Sequence, residues 1–258
     1  TMINPIKPFK PVIYDYKPLD TRKLCSFVVP ESKIGKLKFD IIEDPQAEGY
    51  KFFSQLKDSA GDVLGHEHFA MFEDSDHISG LYIATKQDLR KKGTGIGEVL
   101  RLGSIIEMLE NGIKKLDIVS KDSAIFFHSK YKFEPAVTIF DERNRLLKCV
   151  AQDTAFEDLS KEAQNLLNKI ANTHSGKEQR ILSEDANKLL AAYTRQVLAE
   201  KNQAVLANPE NAKEIAADMY KKHSLAWTMQ MTLTDEKILE NRDFFNSLFQ
   251  KHGIDYSV

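Results

Sequence analysis

Apolar and polar residues alternate in short runs in the first part of the chain, and this period of two predicts β-strands. The runs occupy residues 37–41, 50–56, 63–72 and 78–84. Polar stretches separate them, for example residues 58–62 and 73–76. Strands punctuated by such turn residues predict an antiparallel meander.

The period then changes to that of an α-helix. A helix that ends at Asn111-Gly112 is predicted because six positions share one helical face. They are Ile96, Val99, Leu100, Gly103, Ile106 and Leu109. A short strand at 115–119, a short helix at 123–131 and a final hairpin of residues 135–140 and 146–150 are expected to follow, with the polar run 141–145 as the hairpin turn.

No strand pattern is apparent after residue 151, and signals that start helices replace it. Thr154 with Glu157, and Ser175 with Glu178, have the spacing of capping boxes. About four helices are therefore expected in this segment. Residues 1–21 contain four of the eight prolines and predict an extended arm.

These elements predict an α+β protein. Residues 22–151 are expected to form a mixed, mostly antiparallel twisted sheet flanked by helices, and residues 152–258 an all-α C-terminal domain. The 258 residues are 42% hydrophobic and 29% charged, which is typical of globular proteins.

Charge and cysteine content narrow the classes of function. The net charge of -2 does not favour a nucleic-acid-binding surface. Cys25 and Cys149 are far apart in sequence, so neither a zinc ribbon nor a disulfide framework is predicted, and a reducing, cytoplasmic location is expected. The sequence predicts no membrane-spanning segment and no signal peptide.

A glycine-rich turn precedes the predicted helix and is the main candidate for a ligand site. Successive amides at a helix N-terminus bind anions, and a Cβ at Gly93 or Gly95 would hold a phosphate away from them. Arg90, Lys91 and Lys92 add positive charge beside the turn. A Walker loop is not matched because Glu98 follows the last glycine, and the dinucleotide fingerprint lacks its third glycine. A turn without a ligand is the alternative.

Arg90-x-x-Gly93-x-Gly95 resembles the Gln/Arg-x-x-Gly-x-Gly/Ala motif of the GCN5-related N-acetyltransferases, the GNAT family. Residues 124–133 resemble the later motif of that family, Ala-x-x-Phe-Tyr-x-Lys-x-Gly-Phe, and follow a predicted strand in the expected order. The resemblance covers residues 37–151, less than half of the chain.

The resemblance implies acetyl-CoA as co-substrate and transfer of its acetyl group to a primary amine by direct attack. The residues it implies for cofactor binding are Tyr82, Ile83, Ala84, Arg90, Lys91, Lys92, Gly93, Thr94, Gly95, Ile96, Gly97, Phe127 and Lys130. A backbone amide near Ile83 or Ala84 would stabilise the negative charge that develops on the thioester carbonyl oxygen. The acceptor is expected to be a small molecule or a protein.

The resemblance also implies catalytic candidates, and the chain departs from the family motif at two positions. His128 stands where the family has the tyrosine that protonates the leaving thiolate, and Tyr131 is the alternative donor. Lys132 stands where the family has glycine. Glu67 and Glu73 are candidates for the general base.

Several alternatives stay open on sequence alone. His66 and His68 share a strand face, but no third metal ligand is apparent, so no metal site is predicted. The helices that normally form one wall of the acceptor site are not apparent, so either the first strand lies earlier, near residues 27–29, or this wall is missing.

The chain is expected to be an acetyltransferase, or else an inactive CoA-sensing or interaction module, or a transferase of longer acyl chains. A dehydrogenase-like protein is a remote alternative. The helical domain is expected to choose the acceptor, or to bind a second copy or another protein.

Overall fold

The computed structural model describes residues 22–30, 32–71, 76–89, 93–135, 140–223 and 228–258. One sheet of eight strands runs through it in the order β1-β2-β3-β4-β5-β6-β8-β7. The strands are β1 (Ser26–Val29), β2 (Leu37–Glu43), β3 (Phe52–Lys57), β4 (Val63–Met71), β5 (His77–Thr85), β6 (Lys115–Lys121), β7 (Glu134–Pro135) and β8 (Thr228–Thr234). Neighbours are antiparallel except β5 and β6, which are parallel. The predicted mixed, mostly antiparallel sheet is confirmed.

Helices begin after β5 and occupy most of the described residues after β7. They are α1 (Ile96–Glu110), α2 (Ala124–Lys130), α3 (Phe140–Ala151), α4 (Glu157–Asn172), α5 (Gly176–Ala207), α6 (Ala212–His223), α7 (Asp235–Glu240) and α8 (Arg242–Lys251). The long helical C-terminal region is thus confirmed. None of the helices in the described ranges combines the length and apolar character needed to cross a membrane.

The core lies between the sheet and α1, which crosses β3 to β6. Side chains of β2 and β3 alternate between buried and partly exposed, as a sheet covered on one face requires. The helix comes unusually close to β2, because a Cβ at Gly103 would overlap the ring of Phe39, a residue with no exposed surface. Glycine at this position lets α1 pack directly on that ring.

The sheet divides between its two parallel strands. β5 and β6 pair only from His77 to Gly80 and from Lys115 to Ile118, although both strands continue further. Leu81 is an extra residue of β5 at the same point, a bulge opposite β4. The second half of β5 therefore turns away from β6.

Two sequence predictions about strands are wrong. Residues 140–151, expected to belong to a hairpin, form α3, in which Leu146, Leu147 and Val150 are buried along one helical face. The polar run read as a turn is the start of this helix. The last long strand is β8, in a segment where no strand was expected, and its Met231 and Leu233 are fully buried at alternate positions.

The described N-terminal residues show whether the first strand lies before residue 37 and whether helices follow it. The first strand does lie earlier than residue 37, as β1, and the described residues between β1 and β2 form only a turn. Helices α3 to α6 pack against one another, and Asp153, Tyr193 and His223 share hydrogen bonds of 2.6 to 2.8 Å there. The predicted arm at residues 1–21 lies outside the described residues, and the predicted domain limits stay a prediction.

Candidate functional site

A cleft of about 550 Å³ opens where β5 gives way to α1. The ends of α2 and α8 form its other sides. The predicted cofactor residues that line it are Gly93, Thr94, Gly95, Ile96, Gly97, Phe127 and Lys130. Tyr131, predicted as a catalytic residue, also lines it, together with Glu98 and Lys251, which were not predicted. Arg90, Lys91 and Lys92 lie outside the described residues.

The backbone before α1 has the conformation that the glycines permit. Gly93 has φ of 59° and Gly95 has φ of 80°, both in the left-handed region. Gly95 is the N-cap of α1 and offers no side-chain hydrogen bond. Within the described residues, the amides of Gly97 and Glu98 donate to no carbonyl. These amides at the N-terminal end of a fifteen-residue helix are therefore open to an anion.

Gly95 has a packing role that the sequence does not indicate. A Cβ at this position would lie 2.9 Å from Cε1 of His252, the residue that follows α8. The expected effect of a side chain here, obstruction of a phosphate, would thus be accompanied by displacement of the histidine. By contrast, a Cβ at Gly97 would make ordinary contact with Phe127, at 3.5 Å.

Glu98, in the first turn of α1, accepts hydrogen bonds from four side chains. Tyr131 donates at 2.7 Å and Lys130 at 3.0 Å to one carboxylate oxygen. Nε2 of His252, at 2.7 Å, and the ammonium group of Lys251 contact the other. Burial alone would raise the pKa of Glu98, but the four donors together hold it far below its usual value. Glu98 is therefore a buried, ionised carboxylate at neutral pH.

The cleft nevertheless has an excess of positive charge. Lys130 and Lys251 contribute two ammonium groups against the single carboxylate of Glu98, and the N-terminal end of α1 adds partial positive charge. Each lysine side chain is 56% exposed, so both remain in contact with solvent at the cleft. The arrangement suits a ligand with more than one negative charge.

The two predicted proton donors differ in position. Burial and the nearby guanidinium of Arg101 lower the pKa of His128 to about 3, so its imidazole is neutral at pH 7. Its ring lies between Phe127 and Phe133, and its Nδ1 has no hydrogen-bond partner in the described residues. His128 does not line the cleft. The expected imidazolium donor is therefore not available near neutral pH.

Tyr131 lines the cleft and keeps its proton. Burial and the hydrogen bond to Glu98 raise the pKa of Tyr131 well above its usual value. Its ring lies 5.2 Å from the ammonium nitrogen of Lys130. The next residue, Lys132, stands where the motif has glycine and has φ of 66°, the left-handed conformation that glycine adopts most easily.

Glu67, one of the two predicted general bases, does not line the cleft. Glu67 is buried under the sheet, where Nη1 of Arg101 lies 3.0 Å from one carboxylate oxygen and Ser104 donates to the other. Burial raises the pKa of Glu67, although Arg101 and Ser104 oppose this. Glu67 thus faces α1 and does not lie at a solvated strand edge. Glu73 lies outside the described residues.

The other predicted residues of β4 and β5 surround the division of the sheet. Tyr82, Ile83 and Ala84 pair with β4 and lie beyond the point at which β5 leaves β6. Tyr82 is 47% exposed, and its ring stacks on His68 with centroids 5.0 Å apart. His66 lies edge-on to both rings. In the described ranges, no group of three metal-ligating side chains occurs.

Sequence reasoning missed the contribution of α8. No pattern in the sequence indicates a role for Lys251 or His252, and Glu98 was considered only as a mismatch to a Walker loop. The contact between Glu98 and His252 spans 154 residues of sequence, so no local pattern indicates it.

Comparisons with known proteins give limited overlap. A scan against models of protein families finds no match, and no curated protein matches. Similar solved structures include an IAA acetyltransferase from Bacillus cereus, with TM-score 0.33, 16% identity and coverage of 39% of this chain and 79% of that one. Tetrahymena GCN5 has TM-score 0.31 and 16% identity, over 35% of this chain and 56% of that one. A GNAT family acetyltransferase from Elizabethkingia anophelis with acetyl-CoA bound has TM-score 0.30 and 19% identity, over 33% and 56%.

These similar structures, all acetyltransferases, overlap between 33% and 39% of this chain. The likeness is partial, and the geometry of the cleft is what supports the proposals that follow.

Proposed function

We propose that this chain is an acyltransferase that binds acetyl-CoA in the cleft and transfers the acetyl group to a primary amine. The observation that carries the proposal is the set of open amides at the start of α1 between two half-exposed lysines. Helix N-termini with such amides bind phosphate groups, and two ammonium groups match a diphosphate. A pantetheine chain would extend from there toward the division between β5 and β6.

Acetyl-CoA, when bound, supplies the acetyl group as a thioester. The first turn of α1 and Lys130 would hold its diphosphate, and Phe127 would contact the neighbouring apolar part. Tyr82, Ile83 and Ala84 would flank the reacting end, where the amides of Ile83 and Ala84 would stabilise oxyanion charge. The predicted basic residues Arg90, Lys91 and Lys92 would add to the attraction for phosphate.

Tyr131 is the proposed hydrogen-bond donor to the leaving sulfur. It lines the cleft, whereas His128 does not. Its hydroxyl now donates to Glu98, but Glu98 has three further donors, so Tyr131 can turn away without leaving the carboxylate unpartnered. Because its pKa is raised, the phenol keeps its proton at neutral pH and can donate it in a hydrogen bond.

The acceptor amine must be neutral when it attacks the thioester. An alkyl amine with pKa near 10.4 is only about one part in 10³ neutral at pH 7, so a base is needed to remove its proton. Glu67 is committed to Arg101, so Glu73 remains the proposed base. The acceptor, a small molecule or a protein, would be selected with the help of the helical C-terminal region. Transfer of a longer acyl group is the variant of this proposal that the same cleft allows.

A second candidate is a CoA-binding module without catalysis. The burial of Glu67 in an ion pair and the neutral state of His128 favour it, because two of the predicted catalytic groups are then unavailable.

Calorimetric titration with acetyl-CoA, longer acyl-CoAs and NADH, followed by thiol-release assays on a panel of amines, separates these functions. Acetyl-CoA binding with release of free thiol on at least one amine is the expected result. Binding without release on any amine supports the inactive module. Failure to bind any acyl-CoA rejects both.

A further inference from the structure

The end of α8 belongs to the same cleft as the glycine turn. Lys251 is the last residue of α8 and lines the cleft directly. Lys130 reaches the carboxylate of Glu98 from α2, and Lys251 reaches it from α8, each at a different oxygen. The two ammonium groups therefore stand on either side of one carboxylate at the start of α1.

Glu98 does not use up the donors of these lysines. An ammonium group has three N–H donors, and each lysine gives Glu98 one hydrogen bond. Tyr131 and His252, both buried, already satisfy the same carboxylate from inside the protein. The side chain of Lys251 lines the cleft and is 56% exposed, so its remaining N–H groups are accessible to a ligand bound there.

The position of Lys251 is fixed by the packing of α8. Phe245 and Phe249 have no exposed surface, and Ile254 is buried just beyond the helix. Gly253 has φ of 62° and lies so close to Pro30 that a Cβ would come within 2.9 Å of its ring. The backbone that carries Lys251 is therefore anchored on both sides, and Glu98 orients the side chain.

We propose that Lys251, oriented by Glu98, is a phosphate-binding residue of the CoA cleft, so that α8 completes a site begun by α1 and α2. This inference rests on the proposed function, because it assigns a contact to the diphosphate of CoA. Its chemical basis is a hydrogen bond between an ammonium group and a phosphate oxygen, which is stronger than one between neutral groups.

The test is the affinity for CoA, measured by calorimetry, of the Lys251→Met and Lys251→Arg variants. Lys237→Met is the matched control. Lys237 lies in the last turn of α7 and is also paired with glutamates, Glu134 and Glu240, but it does not line the cleft. Lys251→Met should weaken CoA binding about tenfold or more. Lys251→Arg should largely restore it, and Lys237→Met should bind like wild type.

S-acetylpantetheine, which carries no phosphate, provides the second arm. S-acetylpantetheine should bind more weakly than CoA, but with the same affinity to wild type and to Lys251→Met. The affinity for CoA should depend less on salt concentration in the variant than in wild type. Equal loss of affinity for both ligands would mean that Lys251 acts only by supporting the fold, and would overturn the inference. Unchanged CoA affinity in Lys251→Met would also overturn it while leaving the proposed function intact, whereas absence of CoA binding by wild type would reject the proposed function itself.

Discussion

The Glu98→Gln substitution tests the group of side chains at the start of α1, because it removes the carboxylate on which four donors converge. Glutamine has nearly the same shape but is neutral, and one of its terminal atoms donates instead of accepting. Its amide nitrogen would face donors that now face an ionised oxygen. The substitution should therefore destabilise the folded protein.

The buried donors set the expected magnitude. Tyr131 and His252 are buried, and a hydrogen bond to a charged group contributes about 1.5–3 kcal/mol. Lys130 and Lys251 are half-exposed, so their ion pairs contribute only about 0–1 kcal/mol each. The free energy of unfolding at pH 7 should fall by about 3 kcal/mol, and the melting temperature by roughly 6–12 °C.

The pH dependence of this difference has a definite sign. Burial would raise the pKa of Glu98, but the four donors lower it below the ordinary value of 4.5. A group with a lowered pKa stabilises the fold fully above its unfolded pKa, and this stabilisation is lost as the pH falls toward the folded pKa. The gap between wild type and variant should be constant above about pH 5.5, and should narrow by about 1.4 kcal/mol per pH unit below pH 4.5.

Urea unfolding of wild type and variant over this pH range measures the gap. Glu157→Gln is the control, because Glu157 is 75% exposed and pairs with Lys161 one helical turn away, so its loss should change the free energy of unfolding by less than about 0.5 kcal/mol. A loss of less than about 1 kcal/mol for Glu98→Gln at pH 7, or a gap that does not narrow in acid, would refute the reasoning.

Three further predictions concern packing, backbone and protonation. Gly103→Ala should lower the free energy of unfolding by about 2–3 kcal/mol, because its Cβ would overlap the ring of Phe39; an unchanged melting temperature would contradict this close approach. Lys132→Gly should stabilise the protein by about 1 kcal/mol in urea unfolding, because it relieves a left-handed φ; a loss of stability would show that the contact of the lysine with the ring of Phe244 matters more. His128→Asn should leave the shape of the pH–rate profile between about pH 5 and 8 unchanged, since burial and Arg101 lower the pKa of His128 to about 3; a titration step that disappears in the variant would show that this histidine is charged in that range.

Local patterns predicted most of the sheet and the first long helix. β2 to β5 and α1 were predictable because a half-buried strand and an amphipathic helix impose their own periods on the sequence. The predicted hairpin failed because a charged run such as residues 141–145 suits a polar turn and the solvated face of a helix equally well. β8 was missed because Met231 and Leu233, the buried residues of that strand, lie in a short stretch between strong helix signals.

The candidate site was predicted only where it is local. The glycine turn could be predicted from the local sequence, because the positive φ at Gly93 and Gly95 favours glycine at both positions. The burial of His128 beside Arg101 depends on how α1 and α2 pack, and that packing sets its pKa. The approach of Lys251 to Glu98 depends on the position of α8, which no motif encodes.

The place of β8 in the sheet has a consequence for how the chain is made. β6 is finished at Lys121, but β8, which covers its open edge, begins only at Thr228. At roughly 5–20 residues per second, a ribosome needs about 5–20 seconds to add the intervening residues. During that interval a nascent chain would carry an unpaired strand edge, the feature through which proteins most readily aggregate. We expect early termination of synthesis between these strands to yield an insoluble fragment.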